Sequence, residues 1–380
     1  MWKIPLFDLD YAEDEKNAVL EVLESKWLSS GEKTKKFEQE FSKYLGDNTL
    51  STAVSNATAA LHISLLIAGV KEEDEVIISG LTFVADANVV VMCGATPIFA
   101  DINSLNNWNP SIKDIKSKVT SKTKAIIVVH FAGYPIEDID ELVKFCKEKS
   151  IYLIEDVAHA VGGSYNGLKC GTFGDMACFS FFSNKNLSTG EGGMFVTKNI
   201  EFDRQSKLFR SHGMTSMTID RHEGKTISYD VVQAGLNYRM DEIRCALGLV
   251  QLAKLDKNNE KRKNLMEYYN KQLIKHIPSI TIPFTKLSNK SISSYHIFPI
   301  LLPVGTNRAD VMEKLKLKGI QTSIHYPSFK GFTYYSKFYT KPLTNIENIS
   351  SRILTLPLYV YLTKEMIDEI IFELKKILEK

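Results

Sequence analysis

Residues 151–160 read IYLIEDVAHA: an apolar run that ends on two adjacent carboxylates, Glu155 and Asp156. A parallel strand buried on both faces is written this way, with polar groups delivered at its carboxyl end. Downstream, residues 179–197 read FSFFSNKNLSTGEGGMFVT. That is an aromatic strand, a polar turn holding one lysine, Lys185, and a glycine-rich return into a second strand. Further short runs rich in Val and Ile stand at Glu75–Ser79, Pro97–Asp101 and Ala125–His130. Helical patterns at Ala57–Ala68 (closed by Gly69), Val84–Cys93 and Glu137–Lys149 fall among these strands. The alternation predicts an α/β fold: a mostly parallel sheet flanked by helices. Ligands bind at the carboxyl ends of strands in such sheets, where Ser55, Asp156 and Lys185 all fall.

Towards the N-terminus, a charged helical pattern runs from about Glu13 to Leu45, interrupted at Ser29-Ser30-Gly31. Past Arg239, a long charged helix over Asp241–Ile277 leads to a mixed region: a strand (Tyr295–Leu302), a helix (Asn307–Lys318), a strand (Gln321–Tyr326) and a final helix from about Thr363. A chain of 380 residues is long for one core. The expected division is an N-terminal arm and large domain over residues 1–245, then a linker helix and a smaller α+β domain over residues 246–380.

Composition excludes more than it identifies. Hydrophobic residues at 44% and charged residues at 24% are ordinary for a soluble globular protein. The net charge of +2 gives no electrostatic reason to expect nucleic acid or a membrane surface as partner. The five cysteines show no CxxC spacing, so neither a metal site nor a disulfide framework is expected, and a reducing compartment suits them. MWKIPLFDLD at the N-terminus does not read as a signal peptide, so none is expected, and no run approaches the roughly 18 apolar residues of a membrane span. The expected location is the cytoplasm.

A charge held at a strand end within apolar sequence is costly. Pyridoxal phosphate (PLP) chemistry uses such a pair: an amine to form a Schiff base, and a carboxylate to keep the pyridine nitrogen protonated so that the ring accepts electrons. The residues alone leave alternatives open. Asp156 and Lys185 could be surface charges, Phe83 a core residue, and His159 a satisfied buried histidine. Ser55-Asn56-Ala57-Thr58 could be a plain helix cap or a phosphate site at a helix N-terminus. The GEGG at Gly190–Gly193 lacks phosphate-loop spacing, and a tight turn beside the lysine explains it better.

The two segments resemble the sugar aminotransferase family of DegT/StrS type, among the fold type I PLP enzymes. EDVAHA stands at Glu155–Ala160 and the lysine element at Phe179–Gly193. Further matches are SNATAALHISL (Ser55–Leu65), SGLTFVADAN (Ser79–Asn88), HFAGYP (His130–Pro135), RSHGM (Arg210–Met214) and GLNYRMDEIRCALGLVQL (Gly235–Leu252). The resemblance implies a seven-stranded sheet and PLP as cofactor. Lys185 would hold the cofactor and move the proton; Asp156 would pair with the ring nitrogen. Ala57, Thr58 and Ser180 would hold the phosphate, Phe83 would stack on the ring, and His159 would bond the phenolic oxygen. Asn237 would reach the phosphate of the neighbouring subunit in a homodimer with shared sites. The implied substrate is a nucleotide-linked keto sugar, with glutamate as amino donor; Arg210, His212, Arg239, His325 and Tyr326 are the candidate contacts. Dehydratases of the family carry histidine where Lys185 stands, which disfavours that reading, and the intact set disfavours a silent regulatory member. Phe179, Phe181 and Phe182 are expected to crowd the lysine and lower its pKa.

Overall fold

Seven strands form one sheet in the computed structural model, which describes residues 2–46, 48–216, 224 and 226–379. They are β1 (Leu50–Val54), β2 (Glu75–Ser79), β3 (Thr96–Ala100), β4 (Thr123–Val129), β5 (Tyr152–Asp156), β6 (Met176–Ser180) and β7 (Gly193–Thr197). The order across the sheet is β1-β7-β6-β5-β4-β2-β3. Only β7 runs against its neighbours: β6 returns into it through the lysine turn, which needs no crossover. The pairs β6–β5, β5–β4, β4–β2 and β2–β3 are all parallel.

The two-residue period of the strands divides the core. After helices α1 (Glu13–Ser25) and α2 (Glu32–Leu45) comes α3 (Ala57–Ile67), whose Leu61 and Leu65 meet Val76, Ile78, Ile127 and Val129 on one face of the sheet. Ile77, Ile126 and Val128 point to the other, against Leu142 and Cys146 of the helix Ile139–Lys149. A third apolar cluster joins Phe37 and Phe41, on the helix Glu32–Leu45, to Phe179, Phe181 and Leu187. Phe41 meets Phe179 edge-on at 5.0 Å, and Phe37 lies 5.4 Å from Phe181 between ring centres.

The long helix, Glu242–His276, opens with a buried carboxylate. Glu242 accepts hydrogen bonds from the backbone N–H groups of Gly31, Lys33 and Thr34, and so caps the helix Glu32–Leu45 from across the fold. The division expected after Cys245 falls one turn into this helix. Beyond it, strands Phe298–Leu301 and Ile353–Leu356 pair antiparallel, and Ile300, Leu354 and Ile370 join the same apolar cluster as the first face of the large sheet.

One expected strand is absent. Gln321–Tyr326 builds no ladder: Gln321 donates its N–H to the Ile4 carbonyl, and Ser323 exchanges hydrogen bonds with Thr355 as an isolated bridge. The segment leaves the small sheet after that bridge, so that His325 and Tyr326 meet the cavity described below.

Candidate active site

The end of β5 sends its two carboxylates to opposite sides. Glu155 is fully buried and accepts from the N–H groups of Gly171, Phe173 and Gly174, each at 2.8 Å, and bonds His130 Nε2 at 2.8 Å. Those partners make it a structural anchor. Asp156 takes one N–H, from Ala158 at 2.8 Å, and faces a cavity of roughly 400 Å³. Burial raises its carboxyl; the Ala158 N–H, Lys185 and His130 oppose that shift.

Helix α3 opens on the same cavity. Asn56 caps it by accepting the Ala59 N–H at 2.8 Å, and Ala57 and Thr58 line the cavity wall at the helix N-terminus, where backbone donors are unspent. Gly193 explains part of the glycine run. A Cβ there would stand 2.5 Å from the Asn56 carbonyl carbon and 2.7 Å from the Ala57 nitrogen. β7 can start against this turn only because residue 193 has no side chain. Gly190, at φ +81°, serves the tight turn itself.

Strand alternation continues past β6. Ser180 and Phe182 face the cavity, while Phe179 and Phe181 turn to the opposite cluster. Of the three phenylalanines expected around Lys185, only Phe182 lines its cavity, because neighbouring strand residues point to opposite faces. Lys185 sits in a turn held by its own N–H to the Phe182 carbonyl at 2.9 Å. Burial lowers its ammonium to about 8, with Asp156 pulling the other way.

Sequence reasoning passed over the residues that fix this turn. Asn186 donates to Asn259 Oδ1 at 2.7 Å and to the Ser294 carbonyl at 2.6 Å, and its Oδ1 lies 3.0 Å from His296 Nδ1. Asn184 presents a buried Oδ1 with no partner among the described residues. Position beside the lysine was the only signal for either.

Phe83 lines the cavity and is 56% exposed, a large aromatic left open to solvent at its mouth. His159 is buried, and both of its nitrogens are engaged. Nδ1 accepts the Ala132 N–H at 3.2 Å, so Nε2 carries the proton towards the Tyr326 hydroxyl at 2.8 Å. A bond from His159 to a cofactor oxygen would have to displace Tyr326. His325 also lines the cavity, with Nδ1 on Thr355 Oγ1 at 2.9 Å.

The remaining expected contacts lie elsewhere. Arg210 is buried, 2.5 Å from Glu38 and 2.9 Å from the Ala53 carbonyl, and does not line the cavity. It joins the helix Glu32–Leu45 to β1 instead of facing the cavity. His212 and Asn237 are exposed and outside the lining; Arg239 is half-buried and bridges Val54 through its backbone.

The residues present fit PLP: backbone N–H groups at a helix N-terminus on the cavity wall, a buried carboxylate, a lysine with a lowered pKa and an open aromatic face. This fold and this site define a PLP-dependent aminotransferase of fold type I. The profile of the DegT/DnrJ/EryC1/StrS aminotransferase family matches residues 10–375, and the chain belongs to that family. GDP-perosamine synthase of Escherichia coli O157:H7 is 35% identical over 366 residues, covering 96% of this chain and 95% of its own. Two solved structures superpose over 100% of this chain and 99% of theirs. Helicobacter pylori PseC, an aminotransferase involved in the biosynthesis of pseudoaminic acid, has a TM-score of 0.89 at 32% identity. The aminotransferase TlmJ of Streptoalloteichus hindustanus has 0.90 at 29%. The protein is an aminotransferase of that family. No helix among the described residues is long and apolar enough to cross a membrane.

Proposed function

We propose that this enzyme replaces the keto oxygen of a nucleotide-linked sugar with an amine, L-glutamate supplying the nitrogen. The observation that carries the proposal is the joint placement of Asp156 and Lys185 on one cavity, beneath an open mouth flanked by Phe83 and Phe182. The similarity to GDP-perosamine synthase supports a nucleotide sugar as acceptor.

PLP supplies an electron sink when bound. Asp156 would hold the ring nitrogen protonated; Ala57, Thr58 and Ser180 would receive the phosphate, and Phe83 would restrain the ring and exclude water. Lys185 would act first as nucleophile, then as the base that moves a proton at the amino-bearing carbon. His325 and Tyr326, brought to the cavity by the segment that leaves the small sheet, are the acceptor contacts we retain, together with Arg239, which lies outside the cavity lining. A homodimer completes the reading: Ile227, Val231 and Val232 are exposed on the segment that leads to Asn237, which would reach the partner's phosphate site. Five free cysteines, four of them buried, suit work in the cytoplasm.

Mass spectrometry on a panel of keto nucleotide sugars, with PLP and ¹⁵N-glutamate, tests the reading. We expect a sugar whose ketone oxygen is replaced by labelled amine. Equal conversion of free ketohexoses, or label passed only to keto acids, would overturn the substrate class.

A further inference from the structure

The helix Ala85–Met92 begins beside the cavity, and its second residue, Asp86, is wholly buried. The Thr82 hydroxyl donates to Asp86 Oδ2 at 2.6 Å, while Oδ1 has no partner among the described residues. Thr82 lines the same cavity as Asp156, and the carboxyls of Asp86 and Asp156 are close enough to act on each other. Two carboxylates so placed, out of water, do not both ionise. An oxygen with no donor, beside another carboxylate, is satisfied when it carries the proton itself.

The surroundings decide which carboxyl keeps the proton. Asp156 has the Ala158 N–H and the positive charges of Lys185 and His130 in its favour. Asp86 has one hydroxyl, and burial together with the charge of Asp156 pushes its carboxyl well above the usual range. Burial and the same two carboxyls raise the Cys178 thiol and the Tyr326 phenol as well, so neither competes for the negative charge.

We propose that Asp86 is a neutral carboxylic acid that donates a hydrogen bond to Asp156, a positioning residue for the carboxylate that faces the cofactor ring. The proposal rests on the reading that Asp156 is the ring partner. With donors from both Ala158 and Asp86, Asp156 is fixed in plane and kept ionised. Its lowered basicity leaves the shared proton on the ring nitrogen, where the electron sink needs it.

An infrared difference spectrum of the PLP-loaded enzyme at neutral pH, parent minus Asp86→Asn, tests this. We expect the C=O band of a protonated carboxylic acid in the parent, shifted in D₂O and gone in the variant. Asp156 is ionised against the ring in both proteins, so the band belongs to Asp86. No such band, with the visible absorbance of the lysine-bound cofactor intact, overturns the proposal. Loss of that absorbance in the parent would instead overturn the reading of the site. Turnover supplies the second readout. Asp86→Asn keeps an N–H donor and should stay within about threefold of the parent, whereas Asp86→Ala should lose roughly 10- to 100-fold in kcat at unchanged KM. Parental turnover in the alanine variant, or an asparagine variant as impaired as the alanine one, contradicts a donor role. Should the alanine variant fail to fold, the band and the asparagine variant decide alone.

Discussion

Lys185 can attack only as the free amine, and burial brings that form within reach of neutral pH by lowering its pKa to about 8. The rate at which PLP loads onto the empty protein should therefore rise about tenfold per pH unit below that value and level off above it. Stopped-flow absorbance measures it; a rate still climbing past pH 10 would mean an ordinary, solvated lysine. Arg210 carries the opposite kind of prediction. With its guanidinium buried on Glu38 and the Ala53 carbonyl, Arg210→Ala leaves the Glu38 carboxylate without its ion-pair partner and should cost roughly 3–5 kcal/mol in urea unfolding. A raised acceptor KM with unchanged stability would restore its role in substrate binding. The contrast shows what can be read at this scale. Asp156 and Lys185 were legible because strand ends in apolar sequence leave a charge few uses. Arg210 and Asp86 lie on helices, where sequence does not reveal whether a polar side chain faces solvent, a partner or a site.

Elements were legible where period and punctuation agreed. The helix Glu242–His276 and the strand Glu75–Ser79 match their sequence patterns within a residue at each end, because Asp241 caps the helix and an apolar run marks the strand. Gln321–Tyr326 misled, since an extended segment need not find a partner strand. The glycine run was read as a turn, which Gly190 bears out by its left-handed backbone. Gly193 answers to a neighbour distant in sequence, the Asn56-Ala57 backbone, and no local pattern encodes that. Gly193→Ala should force β7 and the start of α3 apart, costing roughly 1–3 kcal/mol and weakening PLP affinity about tenfold or more. Equilibrium titration of the empty variant with PLP checks this; unchanged affinity would show that the close approach does not shape the phosphate turn.

At the scale of the whole molecule, the cavity mouth is open and Phe83 stands exposed beside it, while Asn237 lies outside its own chain's cavity. Both features accord with the proposed homodimer. Lys185→Ala and Asn237→Asp chains, each inactive alone, should regain part of the parental turnover when mixed under subunit exchange, because one hybrid site carries neither lesion. No recovery despite demonstrated exchange would mean that each chain completes its own site. The central claim, that Lys185 is the residue that holds PLP on this fold, has a more direct test. Borohydride reduction of the PLP-loaded protein followed by peptide mass mapping should place the pyridoxyl group on the peptide that contains Lys185. A label on any other lysine, or none where the visible absorbance shows bound cofactor, would contradict the account.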